Sequence, residues 1–230
     1  MLLAAILLDT ANLSPVAQKA TDADRAMVSW LFPQVQWTRD AHDITDMEFI
    51  QAPDLQAHSM AEMHKKLDKL KGQVSHLSAR DLLRKDYKQW VIQSHEEGGR
   101  RWRVGISSVG YRLVKWIKRD GEDRVSAAVR DWMAEQELDL LLVMTHGKAR
   151  VGKKKDGGDK VYGRDLIVVI KQAADVPVVR GLEASKDLDL SPYEYIQTDA
   201  PNTVWFYTQG KAEASRKQVF PAVKHLIESM

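Results

Sequence analysis

Two short cationic runs carry the residue types that work on phosphate would need. Ser215-Arg216-Lys217 stands immediately before the last helical stretch of the chain. A helix start bears partial positive charge, so two cations there oppose the macrodipole. The arrangement makes sense if an external anion sits at that end, held by free backbone N–H groups and both side chains. Two surface cations pointing into solvent would have the same spacing. The second run is Arg84-Lys85-Asp86-Tyr87-Lys88. It is expected at the end of a short helix, where Lys85 and Lys88, three apart, share a face. Cations suit a helix C-terminus on dipole grounds alone, so a solvated cluster also accounts for this run.

Other candidates are thinner. Asp9 ends an apolar stretch and either ligates a metal or caps the turn that follows. Gly147-Lys148-Ala149-Arg150-Val151-Gly152-Lys153-Lys154 nearly spells a phosphate-binding loop, but Lys154 stands where Ser or Thr should hold magnesium. Lys155-Asp156-Gly157-Gly158 then starts a helix poorly, so a true P-loop is rejected. What remains is a solvated charge run or an arm that touches a long polyanion. Asp40, His42 and Asp43 lie in a polar stretch with no apolar frame. His58 and His64 are six apart and off a common helix face. No complete metal site, nucleophile elbow or thiol nucleophile is legible.

The elements that must position these residues follow from patterning. With 230 residues, 44% hydrophobic and 29% charged, the chain can bury one substantial core, plus a short piece of a second domain. A net charge of +2 means that any anion site comes from local clustering. The absence of cysteine excludes disulfides and thiolate metal sites. The opening MLLAAILL lacks a basic n-region and stops at Asp9, too short to span a bilayer; a buried helix is expected. No later stretch reaches membrane length, so the expectation is a soluble, cytoplasmic protein.

Thr21 with Asp24 three residues on caps a helix that ends at Pro33. Residues 34–45 read as a linker and 46–72 as a charged helical stretch. Ser78 caps a short helix carrying Leu82 and Leu83. Trp90–Ile92 and Trp102–Val109 predict a hairpin. Helices are expected over 111–119 and 122–136, the latter with Val125, Val129, Trp132 and Met133 on one face. Leu140–Met144 and Leu166–Ile170 read as strands covered on both faces, joined by a basic, glycine-rich loop. Val204–Tyr207 is a further strand. A final helix has Pro221 in its first turn and Val223, Leu226 and Ile227 inward. The expected class is α/β, a mixed sheet flanked by helices.

In order, these segments form a specific pattern. Ile6-Leu7-Leu8-Asp9-Thr10-Ala11-Asn12-Leu13, Lys19-Ala20-Thr21, Leu82-Leu83-Arg84-Lys85-Asp86-Tyr87-Lys88, Val104-Gly105-Ile106-Ser107-Ser108, and Ala214-Ser215-Arg216-Lys217-Gln218 followed by Pro221 resemble the DHH phosphoesterase superfamily. The likeness runs through the whole chain and is to the exopolyphosphatase and prune branch, with family II inorganic pyrophosphatases as cousins. The resemblance implies two domains. The first carries the Asp-His-His motif and most ligands for divalent manganese or magnesium. The second, DHHA2, closes over substrate and supplies cations. Asp9 matches the last metal-binding aspartate of the first domain. Lys88, Arg216 and Lys217 match the phosphate-binding cations, with Arg84 and Lys85 beside them.

The sequence departs from the pattern by starting at that last ligand, so 1–45 is expected to be a helical remnant of the metal domain with its linker, and 46–230 the DHHA2 domain. The 147–163 loop is longer than the family leads one to expect. The resemblance implies phosphoanhydride hydrolysis of polyphosphate or pyrophosphate, inactive without a DHH domain in the same or a partner chain. Two other readings stand beside it: a non-catalytic protein-interaction module, and a nucleic-acid or other polyanion binder using the basic 147–160 loop.

Overall fold

The computed structural model describes residues 2–34, 58–95, 99–150, 160–193 and 203–230. The chain forms two compact units, Met1–Gln73 and Val74–Met230. The polar stretch with Asp40, His42 and Asp43, residues 46–57 and the lysine run at 153–155 lie outside the described residues.

The first unit is helical: α1 (Leu2–Asp9), α2 (Asp22–Leu31) and α3 (His58–Lys71). Leu3 and Leu7, one turn apart, join Leu13, Val28 and Met60 in its core. Thr21 and Asp24 form the expected reciprocal capping box of α2. After α1 the chain runs through three left-handed residues, Ala11, Asn12 and Leu13, at φ 51°, 60° and 57°. Residues with a Cβ resist this conformation. The turn is held by Thr10, whose hydroxyl donates to the Ile6 carbonyl at 2.7 Å and accepts the Leu13 N–H at 3.0 Å. Thr10, and not Asp9, therefore does the capping.

The second unit is a three-layer α/β structure. Its elements are α4 (Ala79–Lys85), β1 (Tyr87–Gln93), β2 (Arg101–Val109), α5 (Leu113–Asp120), α6 (Glu122–Glu135), β3 (Leu140–Arg150), β4 (Lys160–Ile170), α7 (Val176–Glu183), β5 (Leu190–Pro192), β6 (Val204–Gln209) and α8 (Arg216–Glu228). The six strands lie in the order β1-β2-β3-β4-β6-β5. Only β2 and β3 are parallel, and α5 and α6 make the crossover such a pair requires. The expected hairpin is β1–β2, and the inward face of α6 is the predicted one.

Strand alternation divides the core into two layers. Ile92, Ile106, Leu142, Met144 and Leu166 pack under α7 and α8. Leu141, Val143, Ile167 and Val109 pack under α4, α5 and α6. Central strands buried on both faces explain the unbroken apolar runs in the sequence.

Four expectations are corrected. Helix α4 stops at Lys85 and Lys88 already lies in β1, so these lysines share no helix face. The expected loop from 147 to 163 is strand at both its ends: Gly147–Arg150 pairs with Lys160–Gly163 as the continuation of β3 and β4, and residues 151–159 lie outside the described residues. Beyond Thr145 the strand sequence turns polar and so resembles a loop. The arm proposed for polyanions over 147–160 is therefore strand at both ends. Pro221 lies within α8, past the first turn. Helix α7 and strand β5 went unforeseen, although Pro177 at the start of Val176–Glu183 with Val178, Val179 and Leu182 buried is a helix signature.

Candidate phosphate-binding site

Lys88 takes its direction from the pleat. Tyr87 turns to one face and meets the Trp132 ring edge-on at 5.2 Å, where burial pushes its hydroxyl up to about 12. Its neighbour Lys88 must therefore turn to the other face, with Trp90 and Ile92. On that face Trp90 stacks on Phe220 of α8 at 4.2 Å. Lys88 is exposed and stands on the α8 side of the edge strand.

Helix α8 points its start at the same edge. Ser215 caps it, accepting the Lys217 N–H at 3.3 Å, while the Gln218 side chain accepts the Ser215 N–H at 2.8 Å. Arg216 reaches back across the chain to Asp86. Its guanidinium donates to the Asp86 carbonyl at 3.2 Å and to the carboxylate at 2.8 Å. The same Asp86 carbonyl accepts the Ser108 N–H at 2.9 Å, which locks the residue between the α4–β1 junction and β2. Arg216 and Lys88 are thus brought to one edge. Lys217, next to Arg216, is exposed.

Arg164, His146 and Gln209, passed over in the sequence, complete the arrangement. His146 faces Arg164 in the β3–β4 register, and Arg164 faces Gln209 in the β4–β6 register. Arg164 donates to the Ala212 carbonyl at 2.6 Å. The Gln209 amide donates to the Lys211 and Ala214 carbonyls, each at 2.7 Å. These bonds pin the turn that delivers Ser215 and Arg216. His146 is held below the ordinary imidazole value, first by burial and then by the Arg164 charge. Asp86 opposes that shift and Lys85 adds to it, so both charges are felt at the imidazole. A signal for Arg164 and His146 existed only in the pairing of two strands whose ends read as loop.

Arg84 lies apart. It pairs with Asp81 at 3.5 Å, and its charge acts on Glu135, the partner of Arg80. Lys85, Lys88, His146, Arg164, Arg216 and Lys217 therefore gather at one edge rich in cations, with the Asp86 carboxylate among them. Lys and Arg donors beside a helix N-terminus are suited to phosphoryl oxygens.

A family model for the DHHA2 domain matches residues 65–226, more than two thirds of the chain. The chain belongs to the DHHA2 family. DHHA2 domains accompany phosphoesterase domains of the DHH superfamily, whose members are generally metal-dependent hydrolases. Asp9, the carboxylate that the resemblance assigns to metal, is an exposed residue at the end of α1 in the first unit. Among the described residues, no group of three or more His, Asp or Glu side chains could hold a metal ion. One exposed carboxylate does not by itself fit a bound divalent cation, which wants several oxygen or imidazole ligands. No helix among the described residues is long and apolar enough to cross a membrane.

Proposed function

We propose that this DHHA2 chain grips the phosphate chain in a phosphoanhydride hydrolase acting on inorganic pyrophosphate or polyphosphate. In this reading the lytic machinery, with manganese or magnesium, belongs to a DHH domain in the same protein or in a partner, and Asp9 contributes one ligand to it. Residues 1–45 then form the tail of that metal domain and 46–230 the substrate domain. A cytoplasmic setting accords with a chain free of cysteine. The observation that carries the proposal is the meeting of Arg216 with Asp86, two residues before Lys88, at the start of α8.

In hydrolysis, cations at this edge would take up the negative charge that spreads over the phosphoryl oxygens. Arg216 suits two-pronged contact, whereas Lys88 and Lys217 act as point charges. Charge-assisted hydrogen bonds are worth about 1.5–3 kcal/mol, so Arg216→Ala should weaken pyrophosphate or tripolyphosphate binding about 10- to 100-fold. Titration calorimetry at low salt reads this directly. Equal affinity in the variant and the parent would remove the proposal.

A further inference from the structure

A second cationic site lies at the opposite end of the sheet. There the starts of β2 and β3, the end of β4 and the last turns of α6 enclose an open cleft of about 960 Å³. That is room for an organic molecule, at the upper end of the range of ligand pockets. Four cations line it: Arg101 and Arg103 on β2, Arg130 on α6, and Lys171 after β4. Two acids share the lining, Glu137 and Asp139, and both are already engaged. Glu137 pairs with Arg103. Asp139 accepts the Arg103 N–H at 2.8 Å and an Arg100 guanidinium N–H at 2.7 Å. Lys171 stands 3.9 Å from the same carboxylate, at the limit of an ion pair. Arg101 and Arg130 are exposed and have no acidic partner among the described residues. The cleft therefore holds cationic donors in excess.

Its floor is apolar. Val91 is 53% exposed on β1, directly across from Arg103, and Met133 of α6 lies beneath. An apolar side chain left open among guanidinium groups suits a ligand with both characters. Inorganic phosphate would satisfy the cations and leave the floor wet. A flat ring would cover the floor, and guanidinium planes stack well on such rings.

We propose that this cleft binds an organic phosphate with an aromatic ring, of the nucleoside monophosphate kind, with its phosphate on Arg101 and Arg130 and its ring over Val91. The site is separate from the Arg216 edge and does not rest on the reading of that edge.

The test uses the full chain with AMP, 1-naphthyl phosphate and inorganic phosphate as probes, by calorimetry at low salt. At least one ring-bearing probe should bind ten times more tightly than inorganic phosphate does at this cleft. The Arg101→Ala/Arg130→Ala variant should lose at least tenfold in affinity for that probe, and Arg216→Ala should lose none. Both arginines are exposed, so the double variant should keep the parent's melting temperature, which is checked first; should it fall, charge-preserving Arg101→Lys and Val91→Asp replace it. Val91→Asp should weaken the ring-bearing probe tenfold by placing a carboxylate on the floor. Three results would overturn the proposal. Neither ring-bearing probe binds; a probe binds equally in parent and cleft variants; or its binding disappears with Arg216→Ala, which would put it at the other edge.

Discussion

Two arginines of this chain sit at helix starts and each is tied to an aspartate far away in sequence, yet they do opposite things. Arg112 precedes α5 and clasps Asp165 with two hydrogen bonds, at 2.9 and 3.0 Å. Asp165 is fully buried, and its carboxylate also accepts the Leu113 N–H at 3.2 Å and the Thr145 hydroxyl at 3.0 Å. Helix α5 has no local side-chain cap, so a strand residue 52 positions away supplies one. Gly163 is part of the same design, because any Cβ there would strike the Arg112 guanidinium. Arg216 also bonds an aspartate, but Asp86 is half-exposed and gives Arg216 one carboxylate contact and one carbonyl contact. Both carboxylate oxygens of the first pair are engaged within the fold. The second pair keeps capacity to spare, and a phosphate can compete for it.

The largest effect is expected where the pair is sealed. Asp165→Ala leaves the partly buried Arg112 without its counter-ion and α5 without its cap. Breaking one side of a buried pair costs about 3–5 kcal/mol, so denaturant or thermal melting should show a destabilisation of that order. A change below about 1 kcal/mol would mean that water enters freely and that the two pairs differ less than their burial suggests.

The exposed pair should respond in binding instead of stability. Asp86→Asn keeps a carbonyl oxygen for Arg216 and removes the negative charge that Arg216 contacts. Exposed pairs contribute about 0–1 kcal/mol, so the melting temperature should barely move. Pyrophosphate affinity should rise severalfold at low salt, because the ligand no longer displaces or faces a carboxylate. Weaker binding would show that Asp86 aims Arg216 and does not restrain it.

What could be read from the sequence follows the same division. Helix α6, the β1–β2 hairpin and the cap of α2 were legible because their signals are local: period, turn residues, and Thr21 with Asp24 three positions on. Arg216 stood out as a charge against a helix dipole and Lys88 as part of a cationic cluster, both also through family likeness, and the stacking of Trp90 on Phe220 helps bring their elements together. The break at Asp86 between helix and strand was missed because Arg84 to Lys88 keeps helical composition through the junction. Arg164 and His146 were invisible because long-range pairing makes them, in strands whose polar ends imitate a loop. Asp165 gave no sign at all: a lone aspartate inside an apolar strand acquires meaning only when Arg112 folds over it.

The smallest effect separates the two regions by proton uptake. His146 lies at the Arg216 edge, largely buried, with Arg164 and Lys85 lowering its proton affinity and Asp86 raising it. Its folded value lies below the ordinary imidazole value of about 6.5. As pH falls below about 6.5, the unfolded chain therefore takes up this proton before the folded one, and stability declines; above about 6.5 the contribution is complete. His146→Gln should flatten that decline between pH 6.5 and 5 in thermal melts, while Arg112→Lys should leave its slope alone. A phosphate bound at the edge adds negative charge beside the imidazole and raises its proton affinity, so saturating pyrophosphate should shallow the parent's decline and do nothing for the His146→Gln variant. An unchanged slope with ligand would place the phosphate out of reach of His146, and the cationic edge would then end at Arg164.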